Sequence, residues 1–202
     1  MDLLKFKNKS LYLYNTRIEN IVHQRETPFY LYSVDQIKKN IKQIKSSFKN
    51  FKPLVCFAIK ANSNLSILKE LKKNNLGADV VSIGELKLAL KAGIKPNKIV
   101  FSGVGKTDKE IKFAIQKGIL SINAESKNEI KLINNISKKL RKIINIGVRI
   151  NPNIKAKTNR KITTGNKVNK FGISISEFLD VIKNKNNFQN INIFLLSVHI
   201  GS

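Results

Sequence analysis

Residues 99–126 read IVFSGVGKTDKEIKFAIQKGILSINAES. A short apolar run (99–102) meets two glycines. Thr107-x-x-Glu110 then opens a helical pattern that ends at Gly118, before a second apolar run (120–123). The Thr-x-x-Glu spacing is that of a capping box, in which two side chains satisfy backbone N–H groups that a helix start leaves unpaired. Gly118 stands where a helix end favours a left-handed residue. The segment is therefore one strand–helix–strand unit. Its GKT is not a nucleotide-binding loop: GxxxxGK[ST] needs glycine five positions before Gly105, and residue 100 is Val. GxGxxG fails as well, because Asp108 stands three positions after Gly105.

The same unit recurs along the chain. Strand candidates lie at 54–59, 79–82, 99–102, 120–123, 144–150 and 193–200. Ser82-x-x-Glu85, Ser126-x-x-Glu129 and Ser174-x-x-Glu177 repeat the capping spacing, and Gly77 and Gly93 repeat the helix-end glycine. An earlier helix at 34–48 carries Val34, Ile37, Ile41, Ile44 and Phe48 on one face. Strands that alternate with helices imply an α/β fold with a parallel sheet. The even repeat, without a dinucleotide fingerprint after the first strand, favours a TIM-like (β/α)8 barrel over a doubly wound sheet. Only six strands are found where a closed barrel needs eight, so the expectation is an incomplete barrel, the front part of something longer. Strand edges and inward-facing apolar side chains would then be uncovered. Residues 1–33 are expected to lead into the barrel domain, 34–202. The polar stretch 151–173 follows a strand, where barrel enzymes keep substrate-binding loops.

Composition narrows the class. At 202 residues and 42% apolar, the chain can bury one sizeable core. Its one cysteine excludes a disulfide framework and suits a reducing cytosol. No apolar run approaches the roughly 20 residues that cross a bilayer, and MDLLKFKNKS lacks a signal-peptide pattern. The expectation is a soluble cytoplasmic protein without a membrane partner. The net charge of +25 would suit a nucleic-acid partner. However, the lysines are spread over nearly every predicted helix (38–45, 69–73, 87–95, 127–142, 183–185) with few aromatics among them. Compositional drift accounts for that pattern better than a nucleic-acid stripe does.

Lys60 ends the first barrel strand in CFAIKANSN, so its amine would emerge at the mouth of a largely dry core. A lysine there can act as a nucleophile toward a carbonyl cofactor. Its surroundings carry a resemblance. TPFYLYS (27–33), FAIKANSN (57–64), GADVVSIGEL (77–86), IVFSGVGKT (99–107), INAES (122–126), VRINPN (148–153), KVNKFGI (167–173) and SVHIGS (197–202) occur in the order seen in one family and cover essentially the whole chain. The chain resembles the barrel domain of the pyridoxal-phosphate-dependent decarboxylases of the alanine-racemase-like fold, and within them is most similar to the diaminopimelate decarboxylases.

That resemblance implies pyridoxal 5′-phosphate as cofactor, held covalently by Lys60. It implies that His199 stacks on the cofactor ring and that Asp79 lies in the cofactor–histidine network. Arg149 would point into the barrel near the cofactor, Ser202 would contact the phosphate, and Lys170 would line the site. Independently, an arginine flanked by apolar residues in GVRINP needs an anionic or hydrogen-bonding neighbour if it is buried. The implied reaction is decarboxylation of a small amino acid, meso-2,6-diaminopimelate, to L-lysine, by a homodimer completed by a C-terminal β-domain. Relatives place the acid facing the ring nitrogen, a glycine-rich phosphate loop and a cysteine proton donor beyond the position of Ser202. The 202 residues alone are therefore not expected to be competent. Cys56, inside the first strand, has a packing role and is not that cysteine. A decarboxylase of another basic amino acid, an inactive truncated product and a basic nucleic-acid-associated protein stay open as alternatives.

Overall fold

The structure, a computed structural model, describes residues 3–154 and 171–200. The chain divides into two compact units, Met1–Pro53 and Leu54–Ser202. In the first, β1 (Leu4–Lys7), β2 (Ser10–Leu13) and β3 (Thr16–Arg17) form an antiparallel sheet, followed by α1 (Ile18–Val22) and α2 (Val34–Ser47). This small sheet was not expected. Its strands are too short to show a period, and its turns use Asn8, Lys9 and Tyr14 at positive φ where glycine would have announced them.

The second unit follows the predicted rhythm. Its elements are β4 (Cys56–Ala58), α3 (Leu65–Lys73), β5 (Gly77–Val80), α4 (Ile83–Lys91), β6 (Ile99–Phe101), α5 (Asp108–Lys117), β7 (Ser121–Ala124), α6 (Lys127–Lys139), β8 (Ile144–Arg149), α7 (Ile175–Lys183) and β9 (Ile191–Ser197). The six strands are parallel and stand in sequence order, β4-β5-β6-β7-β8-β9. A doubly wound sheet would reverse direction at a switch point, whereas unbroken sequential order is that of a barrel wall. The serine or threonine N-caps all form: Ser82, Thr107, Ser126 and Ser174 accept from the backbone N–H of Glu85, Glu110, Glu129 and Glu177. Among the described residues, no helix is long and apolar enough to cross a membrane.

Register sorts the side chains into two populations. Ala78, Val80, Ile99, Phe101, Ile122, Ala124, Ile146 and Val148 share one face and are fully buried, as are Leu68, Leu86, Ile111 and Ile130 on the helices. This sheet–helix layer is the core. The opposite face carries Gly77, Asp79, Ser102, Ser121, Asn123, Gly147 and Arg149. The inward face also carries Val100 and Leu195, so the expected inward-facing apolar side chains are present, but they stand among small and polar residues, because most of the apolar half of each alternating strand is used against the helices.

Gly77 is a second correction. It opens β5 instead of ending a helix, and the left-handed residue is Asn75, at φ +63°. A Cβ at Gly77 would lie 2.3 Å from the Lys98 carbonyl oxygen and 2.7 Å from Cys56 Sγ, so close approach of neighbouring strands, not φ, requires glycine. Gly118, at φ +65°, does cap α5 as expected. Gly77→Ala is predicted to cost about 1–3 kcal/mol through overpacking, read by denaturant unfolding. Gly105→Ala, where an added Cβ meets nothing within 4 Å, stays within about 0.5 kcal/mol of the parent.

Candidate active site

β4 leads directly into a single 3-10 turn, Ile59–Ala61. Ile59 is fully buried there while Lys60 is exposed, so one side chain anchors the turn and the next presents its amine. The asparagines after it are structural. Asn64 caps α3 by accepting from Ser66 and Ile67, and Asn62 Oδ1 accepts from the Asn64 N–H at 2.9 Å.

Asp79 stands on the inward face of β5. Ser102 Oγ donates to its Oδ1 at 2.6 Å, Asn123 Nδ2 donates to Ser102 Oγ at 3.0 Å, and Ser121 Oγ donates to Asn123 Oδ1 at 3.4 Å. A polar ladder thus crosses three adjacent strands toward the carboxyl. Burial pushes the Asp79 pKa above the usual carboxylate value. The Ser102 hydrogen bond and the proximity of Lys60, His199 and Arg149 pull it the other way, so these three basic side chains lie around the same acid.

Arg149 has the anionic neighbour its burial requires. Its Nη1 donates to Glu125 Oε1 at 2.9 Å and Oε2 at 3.1 Å, with the two side chains only 12% and 5% exposed. Its guanidinium also lies over the Phe171 ring, 4.8 Å from the centroid. Glu125 was missed from sequence, although INAES places an acid one residue past a strand end, at the mouth of the barrel wall. Ser102 and Asn123 were missed too. Small polar residues on an inward face give no local signal until register is known.

Lys60, Asp79, Asn123, Arg149, Phe171 and His199 line one cavity of about 430 Å³, within the range of roughly 300–1,000 Å³ of small-molecule sites. The structure thus brings together Lys60, Asp79, Arg149 and His199, while Ser202 and Lys170 lie outside the described residues. Cys56 sits in β4 as expected, half-buried at the cavity wall, with its thiol pushed up to about 11 by burial and by Asp79. It is a protonated wall residue, not a nucleophile. The site combines an accessible primary amine, an imidazole, a clamped guanidinium and a half-buried acid. This donor set fits an aldehyde cofactor that carries negative charge.

A lysine-bearing barrel wall suits Schiff-base chemistry with a carbonyl compound, and the family model narrows the class to the pyridoxal-dependent enzymes. Residues 34–202 match the pyridoxal-dependent decarboxylase, pyridoxal binding domain, and the chain belongs to that family. Diaminopimelate decarboxylase of Helicobacter pylori (strain J99 / ATCC 700824) is 52% identical over 163 residues, 81% of this chain and 40% of that protein. The Haemophilus influenzae enzyme of that name is 39% identical over 202 residues, all of this chain and 49% of its own length. The crystal structure of diaminopimelate decarboxylase from H. pylori complexed with L-lysine superposes with a TM-score of 0.88 at 48% identity, over 92% of this chain and 47% of that one. The M. jannaschii enzyme in co-complex with L-lysine gives 0.91 at 36%, over 100% and 48%. The chain spans about half the length of the curated relatives it matches.

Removing one partner of the Arg149–Glu125 pair strands a buried charge. Arg149→Met should cost about 3–5 kcal/mol, and adding Glu125→Gln should cost less than the sum of the single changes in a double-mutant cycle. For Asp79, the folded carboxyl keeps its proton to higher pH than the unfolded one. Stability therefore falls as pH rises through the ordinary carboxylate range. Asp79→Asn should raise the midpoint of thermal unfolding at neutral pH, with the gain vanishing below about pH 3, where both states are largely protonated.

Proposed function

We propose that residues 34–202 hold pyridoxal 5′-phosphate on Lys60 and, in the protein at the length of its relatives, serve the decarboxylation of meso-2,6-diaminopimelate to L-lysine. The observation that carries this reading is the convergence of Lys60, Asp79, Arg149 and His199 on one cavity at the end of the barrel strands. L-lysine in the related crystal structures supports the substrate class. When bound, pyridoxal phosphate supplies the electron sink that accepts the bonding pair left by departing carbon dioxide.

The chain's own residues supply placement and charge. Lys60 contributes the primary amine, which attacks a carbonyl in its unprotonated form. Arg149, held by Glu125 and by Phe171, is a fixed cation that does not lose its proton and orients an anionic or hydrogen-bond-accepting group. Asp79, fixed by Ser102, balances the positive charges around it. His199 offers a flat imidazole at the cavity wall for an aromatic ring. Ser202 contributes to phosphate binding in the same reading, which also carries a homodimer and a cytoplasmic location.

The test is spectroscopic and catalytic. The protein at the length of its relatives, purified with pyridoxal phosphate, should develop a protein-bound visible absorbance that Lys60→Ala abolishes, together with lysine formation from meso-diaminopimelate. A Lys60→Ala protein that keeps the bound absorbance would overturn the role of Lys60.

A further inference from the structure

GVGKT contains a lysine for which the proposed reaction gives no role, and its surroundings differ from those of the exposed lysines among the described residues. The Lys106 side chain is 1% exposed. Its Nζ donates to Gly103 O at 2.5 Å, to Asn123 O at 2.8 Å and to Glu129 Oε1 at 2.7 Å. An ammonium has three donors, so each is matched to one acceptor. The acceptors belong to the loop after β6, to β7 and to α6. Lys106 therefore ties three neighbouring elements at the strand end that bounds the cavity.

Glu129 passes the constraint on. While Oε1 holds Lys106, Oε2 accepts the backbone N–H of Glu125 at 2.7 Å. Glu125 in turn accepts both contacts from Arg149. Glu110 and Glu177 instead close their boxes on their own caps, accepting the backbone N–H of Thr107 and Ser174. The quartet Lys106, Glu129, Glu125 and Arg149 is neutral. Two half- or fully buried carboxylates lie between two cations, and removal of either cation leaves a buried charge uncompensated.

We propose that Lys106 is a positioning residue: through Glu129 and Glu125 it fixes the guanidinium of Arg149 at the cavity, and so sets the affinity for the anionic cofactor. The effect on cofactor rests on the function proposed above; the effect on Arg149 does not. The first readout is the Arg149 Nε–H signal in nitrogen-15 NMR spectra of the unliganded protein, identified by its loss in Arg149→Lys. Lys106→Met should shift this signal and speed its exchange with water. The second readout is the dissociation constant of pyridoxal phosphate, by absorbance titration. Lys106→Met should raise it about tenfold, the usual scale of coupling between linked sites. In an Arg149→Lys background, which keeps the charge but loses the rigid fork, the same change should have little further effect. Should Lys106→Met fail to fold, Glu129→Gln carries the test with the same expected shifts, since the amide nitrogen that replaces one carboxylate oxygen would face a donor, either Lys106 or the Glu125 N–H. An unchanged Arg149 signal with unchanged affinity, or losses that simply multiply across the two positions, would overturn the positioning role. A wild-type protein that gives no saturable titration would instead count against the proposed function, leaving the NMR comparison to judge Lys106.

Discussion

Everything in the larger unit depends on the two-residue alternation of a parallel strand. Helices cover one face of the sheet, and that face takes the apolar residues: Val80, Phe101, Ile122, Ile146 and Val148 are sealed beneath α3 to α6. The other face is then free to take polar residues, and it carries Asp79, Ser102, Asn123 and Arg149 in adjoining registers beside Val100 and Leu195. Glycine at 77 lets the Lys98 backbone approach, and glycine at 147 leaves room for neighbouring side chains. A Cβ at Gly147 would come within 2.1 Å of Asn123 Oδ1 and 2.4 Å of Leu195 Cδ1. Stability thus resides in the outer layer and chemistry in the inner one, and the two compete for no side chain.

The inner face concentrates charge at a cost. Asp79 is held where burial disfavours its ionised form, and Arg149 and Lys106 are each covered by carboxylates that are themselves largely buried. Local strain of this kind against local stability is what functional sites show more often than packed cores do. The N-terminal glutamates of the helices also have a lateral role. Glu110 reaches the Ile83 N–H at 3.0 Å, and Glu129 reaches Lys106, so each helix start fixes the preceding strand–helix loop as well as itself.

Much of this was legible in the sequence because βα units punctuate themselves locally. Ser82, Thr107, Ser126 and Ser174 announced their helices, and six strands fell where the apolar runs stood. What depended on distant partners was not legible. Gly77 looks like a helix end until the Lys98 carbonyl is placed beside it, and Arg149 needs Glu125, 24 positions away. Lys106 was hidden by composition, one lysine among many, and its burial follows only from the register of β6 with β7. Within the site, Lys60, Asp79, Arg149 and His199 were found through resemblance in motif, whereas the ladder that steadies Asp79 emerged only from strand pairing.

In the proposed function one lysine, in a chain that carries +25 net charge, is singled out by its place at the mouth of the inner face. Borohydride reduction of the protein equilibrated with pyridoxal phosphate, followed by peptide mapping with mass spectrometry, tests it most directly. The phosphopyridoxyl group is expected on the peptide containing Lys60, at one equivalent per chain. Labelling spread over surface lysines, or concentrated on any lysine other than Lys60, would contradict it.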